Sequence, residues 1–247
     1  MVSVSVVVPA KAEGARLEAT LDSLSAQRVD GDLEVIVVAS GAETIAVARE
    51  HAVVDRVLCD EPESRSDESG DGPEKTAPGP ARARNRGASR ATCDVLCFTD
   101  ADTVVPPTWV RDHCRHYRNS TVMGVGGPLE PLELGLRHRV CFRLLSDWWY
   151  RVSWPLGFVQ QPGPNCSVRR TAFERVGGFD ESLPFLEDTD LSLRLRREGE
   201  VIYDRECAVK TSARRQEREG YRRLFLTYAR GYLEYLLPGR SPSATYF

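Results

Sequence analysis

Two pairs of acidic residues are spaced so that they can act together. Asp100 and Asp102 follow the apolar run Val95-Leu96-Cys97-Phe98. In an extended chain, residues i and i+2 project to the same side, so both carboxylates face one point past the end of a strand. Two carboxylates plus substrate phosphate oxygens suit Mg²⁺ or Mn²⁺. Such a cation neutralises the charge that builds on a departing diphosphate. A solvated turn is the other use of the same pattern. Glu187-Asp188 is the second pair, and it opens a helix with Leu191 and Leu195 on one face. Acids at a helix N-terminus cap it and meet its dipole. As chemistry, the pair offers a general base for an acceptor hydroxyl. A helix N-terminus lowers a carboxylate's pKa, so a base here needs burial or the neighbouring acid Asp190 to raise it.

The elements around these pairs alternate. Ser3 to Val8 is a β-branched run stopped by Pro9, which reads as a buried parallel strand. Leu17, Leu21 and Leu24 mark one face of a helix. Strands are expected at 33–38, 53–58, 94–99, 122–127 and 165–169. Helices are expected at 44–51, 81–90, 106–117, 136–150, 171–176, 188–198 and 217–237. Strands alternating with helices predict an α/β fold, a mostly parallel sheet covered on both faces. Asp100 and Asp102 then fall at the carboxyl end of a strand, where open α/β sheets bind ligands. Asp60 to Pro80 is rich in Asp, Glu, Ser, Gly and Pro and reads as a solvated surface insertion.

Composition narrows the function. The chain has 247 residues, 41% apolar and 28% charged, with a formal net charge of −3. That balance gives no excess of positive charge for gripping a nucleic-acid backbone. No run of 18 apolar residues predicts a transmembrane helix, and no secretory signal is read at the N-terminus. The seven cysteines are odd in number and scattered, which fits reduced thiols in a cytoplasmic protein. Cys93 and Cys97 alone make a poor zinc site.

In order along the chain, several segments resemble family 2 glycosyltransferases. They are Val6-Val7-Val8-Pro9-Ala10 with Glu13, Ala83-Arg84-Asn85-Arg86-Gly87-Ala88, and Asp94-Val95-Leu96-Cys97-Phe98-Thr99-Asp100-Ala101-Asp102. Further on come Asn165 to Arg170, Val176-Gly177-Gly178-Phe179-Asp180-Glu181, Glu187-Asp188-Thr189-Asp190-Leu191 and Ser212-Ala213-Arg214-Arg215. The resemblance implies a GT-A (Rossmann-like) domain over 1–215 with a C-terminal helical extension over 216–247. It implies a nucleotide-diphosphate sugar donor, a divalent cation (Mn²⁺ or Mg²⁺) and inversion at the anomeric carbon. Pro9, Ala10, Glu13, Ser40, Arg84, Asn85 and Asp100 would lie at the donor, and Asp100 and Asp102 at the metal. Asp188 would be the base and Glu187 would orient the acceptor, with Asn165, Arg214 and Arg215 on the acceptor side. For Arg84 and Asn85 helix packing is the alternative, and for Arg214 and Arg215 surface salt bridges. Two departures bear on the donor base: Lys11-Ala12 replaces a common Tyr-Asn, and Ala39-Ser40 stands where many relatives carry Asp.

Aromatics crowd Leu144 to Tyr150, Val152 to Phe158 and the last helix, where Arg222, Arg223 and Arg230 join them. That mixture suits either packing on the catalytic domain or contact with the membrane's inner face. The family resemblance tips the choice toward a peripheral contact and implies a glycan or lipid-linked acceptor, since many relatives use lipid-linked acceptors. Two other functions stay open: a sugar-nucleotide nucleotidyltransferase, which needs a Gly-rich basic loop after the first strand, and a non-catalytic binding scaffold.

Overall fold

In a computed structural model, which describes residues 2–60, 79–144 and 160–236, a seven-stranded sheet of order β3-β2-β1-β4-β8-β6-β9 forms the centre. Its first four members are β1 (Val4–Lys11), β2 (Leu33–Ser40), β3 (Arg56–Cys59) and β4 (Val95–Phe98). They run parallel to one another. Beyond them lie β8 (Cys166–Arg169), β6 (Val122–Gly126) and β9 (Glu200–Tyr203). β8 runs antiparallel to both β4 and β6, while β6 and β9 are parallel.

The side-chain period of two sorts the strands onto two cores. Val4, Val6, Val8 and Ala10 of β1 pack with Val35, Val37, Val95, Cys97 and the leucines of helix α1 (Gly14–Ser25). Val7, Val38, Leu96 and Phe98 face the other way, toward α3 (Pro80–Ala88), α6 (Arg170–Arg175) and α7 (Glu187–Glu198). Strands buried on both faces need apolar residues at every position, and that is why these runs lack alternation. α2 (Ala42–Glu50) lies between β2 and β3, and α4 (Trp109–Cys114) follows β5 (Thr103–Val104). Gly87 lets α3 approach β1, since a Cβ there would lie 2.3 Å from Val7 Cγ1.

A second sheet of three short strands, order β5-β10-β7, sits beside the main one. It joins β5 to β10 (Val209–Thr211) and β7 (Leu129–Pro131). Neither β9 nor β10 was expected from the sequence; each is too short to show a period. The expected strand at 53–58 is the four-residue β3, and the expected helix at 106–117 starts at Trp109 and ends in a 3₁₀ turn at Arg118. The single helix expected over 217–237 is two. α8 (Arg214–Glu219) ends at Gly220, whose φ of +81° breaks the run, and α9 (Tyr221–Leu236) follows. The expected domain boundary at 215 thus falls within α8. The helix expected over 136–150 is described as α5 (Leu136–Phe142). Residues 145–150 of that expected helix, the Val152–Phe158 aromatics and most of the 60–80 insertion lie outside the described residues.

Candidate active site

The chain leaves β1 toward β2 and β3, then returns to β4 on the other side of β1. Such a switch opens a crevice at the carboxyl ends of the neighbouring strands. The residues expected at the donor end these strands. Lys11 pairs with Ser40 in register, and Val7 with Phe98, so Pro9, Ser40 and Asp100 share one edge of the sheet. Asp100 and Asp102 directly follow β4 and are each partly exposed, 30% and 22% at the side chain.

A third carboxylate joins this pair. Burial first, then the charges of Asp100 and Glu13, push the Asp102 carboxyl up to about 6. The small sheet brings a counter-charge. Thr211 Oγ1 donates to Asp102 Oδ1 at 3.4 Å, and the Ser212 amide donates to the Asp102 carbonyl at 3.2 Å. The next turn carries Arg214, whose guanidinium binds Glu13 and stands 3.9 Å from Asp102 Oδ2. Burial and the two neighbouring carboxylates disfavour the charged form of Asp102 more than Arg214 and Thr211 favour it, so a cation placed there would stabilise the carboxylate. Asp100 and Asp102 could provide the one or two carboxylates that Mg²⁺ uses when phosphates complete its shell.

The second acid pair is aimed by backbone geometry. Leu186, just before α7, adopts φ +68°, ψ +22°. A non-glycine left-handed residue costs roughly 1–2 kcal/mol and is held only by its surroundings. Leu186 is 2% exposed, so its side chain is fixed in the core while the chain turns sharply. Glu187 then points inward, 8% exposed. Its Oε1 accepts from Arg84 Nη1 at 2.9 Å, and Arg84 Nη2 donates to Asp100 Oδ1 at 2.8 Å. One guanidinium therefore joins carboxylates 87 positions apart by subtraction of their numbers. Asp188 is partly exposed. It accepts from the Gly163 amide at 3.0 Å and the Thr189 amide at 2.7 Å. Burial raises the pKa of both acids, and the neighbouring Asp188 raises Glu187 further. Amide donors and Arg84 pull Asp188 the other way without cancelling the effect.

Several expected site residues are placed elsewhere. Asn85 does not line the donor crevice: its Nδ2 donates to the Phe179 carbonyl and to Glu181, both at 2.8 Å, and its Oδ1 accepts from the Phe179 amide. It clamps the turn made by Gly177 and Gly178, both at positive φ. Asn165 cannot meet an acceptor, being 0% exposed. Its Oδ1 takes Trp109 Nε1 at 2.8 Å and its Nδ2 gives to the Pro128 and Cys207 carbonyls. The Ala10 side chain is in the core. Arg214 stands at the donor-side acids rather than the acceptor side, and Arg215 pairs with Glu219 within α8. Sequence reasoning missed Gly163 and Leu186. Neither carries a signal, because a left-handed leucine and an amide donor from a distant loop arise only in the folded chain.

Comparison with known proteins bears on the family and the fold. The model of the family described as Glycosyl transferase family 2 matches residues 5–130, half of the chain. A pre-mycofactocin glycosyltransferase of Mycobacterium tuberculosis is 30% identical over 132 aligned residues, covering 49% of this chain and 27% of that protein. The chain thus spans about a quarter of the length of the curated relatives it matches. Among solved structures, the mannosyltransferase PcManGT of Pyrobaculum calidifontis, in complex with GDP-Man and Mn²⁺, superposes with TM-score 0.70. It is 20% identical, and the match covers 98% of this chain and 66% of that one. S. aureus TarS 1-349 with UDP-GlcNAc gives TM-score 0.59 at 15% identity, covering 85% of this chain and 58% of that one. The likeness shows a shared fold, a GT-A sheet flanked by helices. On the motifs, the sheet and the family match together, the chain belongs to glycosyl transferase family 2.

Proposed function

We propose that the protein transfers a sugar from a nucleotide-diphosphate sugar to an acceptor hydroxyl or phosphate, with inversion at the anomeric carbon and with Mn²⁺ or Mg²⁺ bound. The observation that carries this reading is the joining of the donor-side Asp100 and the acceptor-side Glu187 on one guanidinium. Two acid pairs that are remote in sequence become one site with two sides.

Asp100 and Asp102 would hold the cation, which when bound offsets charge on the diphosphate leaving group. Pro9, Ser40 and Glu13 border the same edge. Asp188 takes the acceptor proton as the acceptor oxygen bonds to the anomeric carbon. The bond from that carbon to the diphosphate breaks on the opposite face, so a single displacement inverts the centre, as in inverting hydrolysis with an alcohol in place of water. Asp188 is the more exposed of its pair, and its raised pKa suits a base. Buried Glu187 serves by orientation. The nucleotidyltransferase alternative is disfavoured because the loop after β1 bears Glu13, not a glycine-rich phosphate cradle.

The acceptor is a glycan or a lipid-linked molecule, met by a cytoplasmic protein at the membrane's inner face. The support is the outer face of α9, where Phe225, Leu226 and Leu233 are 50%, 66% and 62% exposed beside exposed Arg222 and Arg223. Apolar and cationic residues on one helix suit an interfacial position. Among the described residues no helix is long and apolar enough to cross a membrane.

The test is thermal unfolding with UDP, GDP, CDP or dTDP, each with and without Mn²⁺, on wild type and Asp102→Ala. A stabilisation that needs both ligands and disappears in the variant supports the donor site and names its base. At a hundred times Kd, linkage gives about 2.7 kcal/mol. No shift with any pair would leave the binding-scaffold reading ahead.

A further inference from the structure

We infer that Arg84 is a positioning residue that holds the donor-side and acceptor-side acids in register, rather than a ligand of the donor. The inference rests on the glycosyl-transfer reading above and adds to it a residue that touches neither substrate.

The guanidinium is 2% exposed at the residue level and is enclosed on every side that the structure describes. Nη2 donates to Asp100 and Nη1 to Glu187, at 2.8 and 2.9 Å. The guanidinium carbon lies 5.5 Å from the centroid of the Phe179 ring, within stacking reach of its face. On another side is Gly163, where a Cβ would stand 2.7 Å from Nη2. The Gly163 amide is the donor that holds Asp188 Oδ2. Arg84 therefore contacts Asp100 and Glu187 directly and packs against the residue that anchors Asp188. Its Nε is buried with no partner among the described residues.

The helix that carries Arg84 is itself tied down. Asn85 binds the Phe179 turn and Gly87 abuts Val7 of β1. Three residues within four positions fix α3 to β1, to the glycine turn and to both acid pairs. A planar fork with a permanent charge can hold two carboxylates at once, and a lysine ammonium on a flexible stem cannot reproduce that geometry. Because a displacement of about 1 Å at reacting groups costs on the order of a hundredfold in rate, the bridge bears on turnover more than on binding.

The test is a double-mutant cycle over Arg84→Lys and Glu187→Gln. Binding is measured with Mn²⁺ plus UDP, GDP, CDP or dTDP, and turnover by hydrolysis of the corresponding nucleotide sugars. Arg84→Lys should bind nucleotide and Mn²⁺ within about threefold of wild type while turnover falls about a hundredfold. In the Glu187→Gln background the same change should cost less than about threefold, because the bridge is already broken. Parallel loss of binding and turnover would make Arg84 a donor ligand and overturn the inference. Wild-type turnover in Arg84→Lys, or effects that simply multiply, would overturn it too. Circular dichroism establishes that each variant folds. If Arg84→Lys does not, a cycle over Asp100→Asn and Glu187→Gln probes the bridge with Arg84 kept, and multiplying effects there would refute it. A wild-type chain that turns over no nucleotide sugar would remove the glycosyl-transfer reading itself, and the role of Arg84 with it.

Discussion

Arg214 closes on the carboxylate of Glu13, 201 positions earlier in the chain. The same guanidinium faces Asp102, so it acts as a counter-ion to the acids at the end of β4. On the proposed reading it would compete with a metal cation for them. Arg214→Met should therefore bind Mn²⁺ alone more tightly than wild type. The Arg214 side chain is 49% exposed, and solvent screening limits the effect to about two- to fivefold in affinity. Titration calorimetry with Mn²⁺ measures it. An unchanged affinity would mean that Arg214 serves the loop and not the charge balance of the site.

Asp188→Asn should separate chemistry from binding. A general base typically contributes 10²- to 10⁴-fold, so turnover should fall by about that range. Nucleotide affinity should hold, since Asp188 is held by the Gly163 and Thr189 amides and is not one of the two acids at the end of β4. Burial raises the Asp188 pKa, and the base must be ionised to work. Wild-type turnover should therefore fall with acid at a pH above the ordinary range of an aspartate. Steady-state kinetics as a function of pH with saturating donor would show it. Full activity in Asp188→Asn would assign the base elsewhere.

Much of the fold was legible because buried strands and amphipathic helices leave a periodic trace. The β1, β2 and β4 runs and the Leu17, Leu21, Leu24 stripe of α1 were readable for that reason. The antiparallel direction of β8, the short β9 and β10 and the break at Gly220 were not. Strand direction is a tertiary property, and three or four residues show no period. At the site, residue type announced Asp100, Asp102, Glu187 and Asp188. Asn85 and Asn165 announced nothing about direction: an amide with two donors and an acceptor serves a turn or a core as readily as a ligand. The contact of Arg214 with Glu13 beside Asp102 was not readable, because the three-stranded sheet that brings it there has no trace in the sequence.

Stability should fall in mild acid because of one buried histidine. His113 is 0% exposed. Its Nε2 faces Asn165 Oδ1 at 3.1 Å and its Nδ1 faces Ser167 Oγ at 2.8 Å. Trp109 Nε1 can only donate, which fixes Asn165 Oδ1 as the acceptor. Nε2 of His113 therefore carries the proton, and Nδ1 accepts from Ser167. Burial, the largest influence, pulls the pKa down from 6.5 to about 4. The unfolded chain binds a proton below 6.5 that the folded chain refuses. The stabilisation is thus complete above pH 6.5 and is lost as pH falls toward 4. Linkage gives about 2 kcal/mol between pH 7 and pH 5. Urea unfolding at the two pH values should show this loss, and His113→Gln should show a smaller one. Equal losses in both proteins would assign the acid sensitivity to other groups.

Gly231 offers a test of how α9 is coupled to the site. In an exposed helix interior, glycine to alanine gains about 1 kcal/mol from propensity. Here the opposite sign is expected, because a Cβ at 231 would lie 2.1 Å from Phe185 Cε1. Phe185 is 2% exposed and its ring meets Tyr228 at 4.9 Å, so it has little room to yield. Overpacking of this kind costs about 1–3 kcal/mol. The strain should lift α9 from α7, where Tyr235 donates to Asp190 Oδ1 at 2.8 Å and Tyr232 lies 3.4 Å from Thr189 Oγ1. Both contacts lie in the two residues that follow Asp188. Gly231→Ala should therefore be cut faster by trypsin at the exposed Arg222, Arg223 and Arg230, and should turn over more slowly with nucleotide binding intact. Faster cleavage with unchanged turnover would make α9 a cover that the acceptor side does not need.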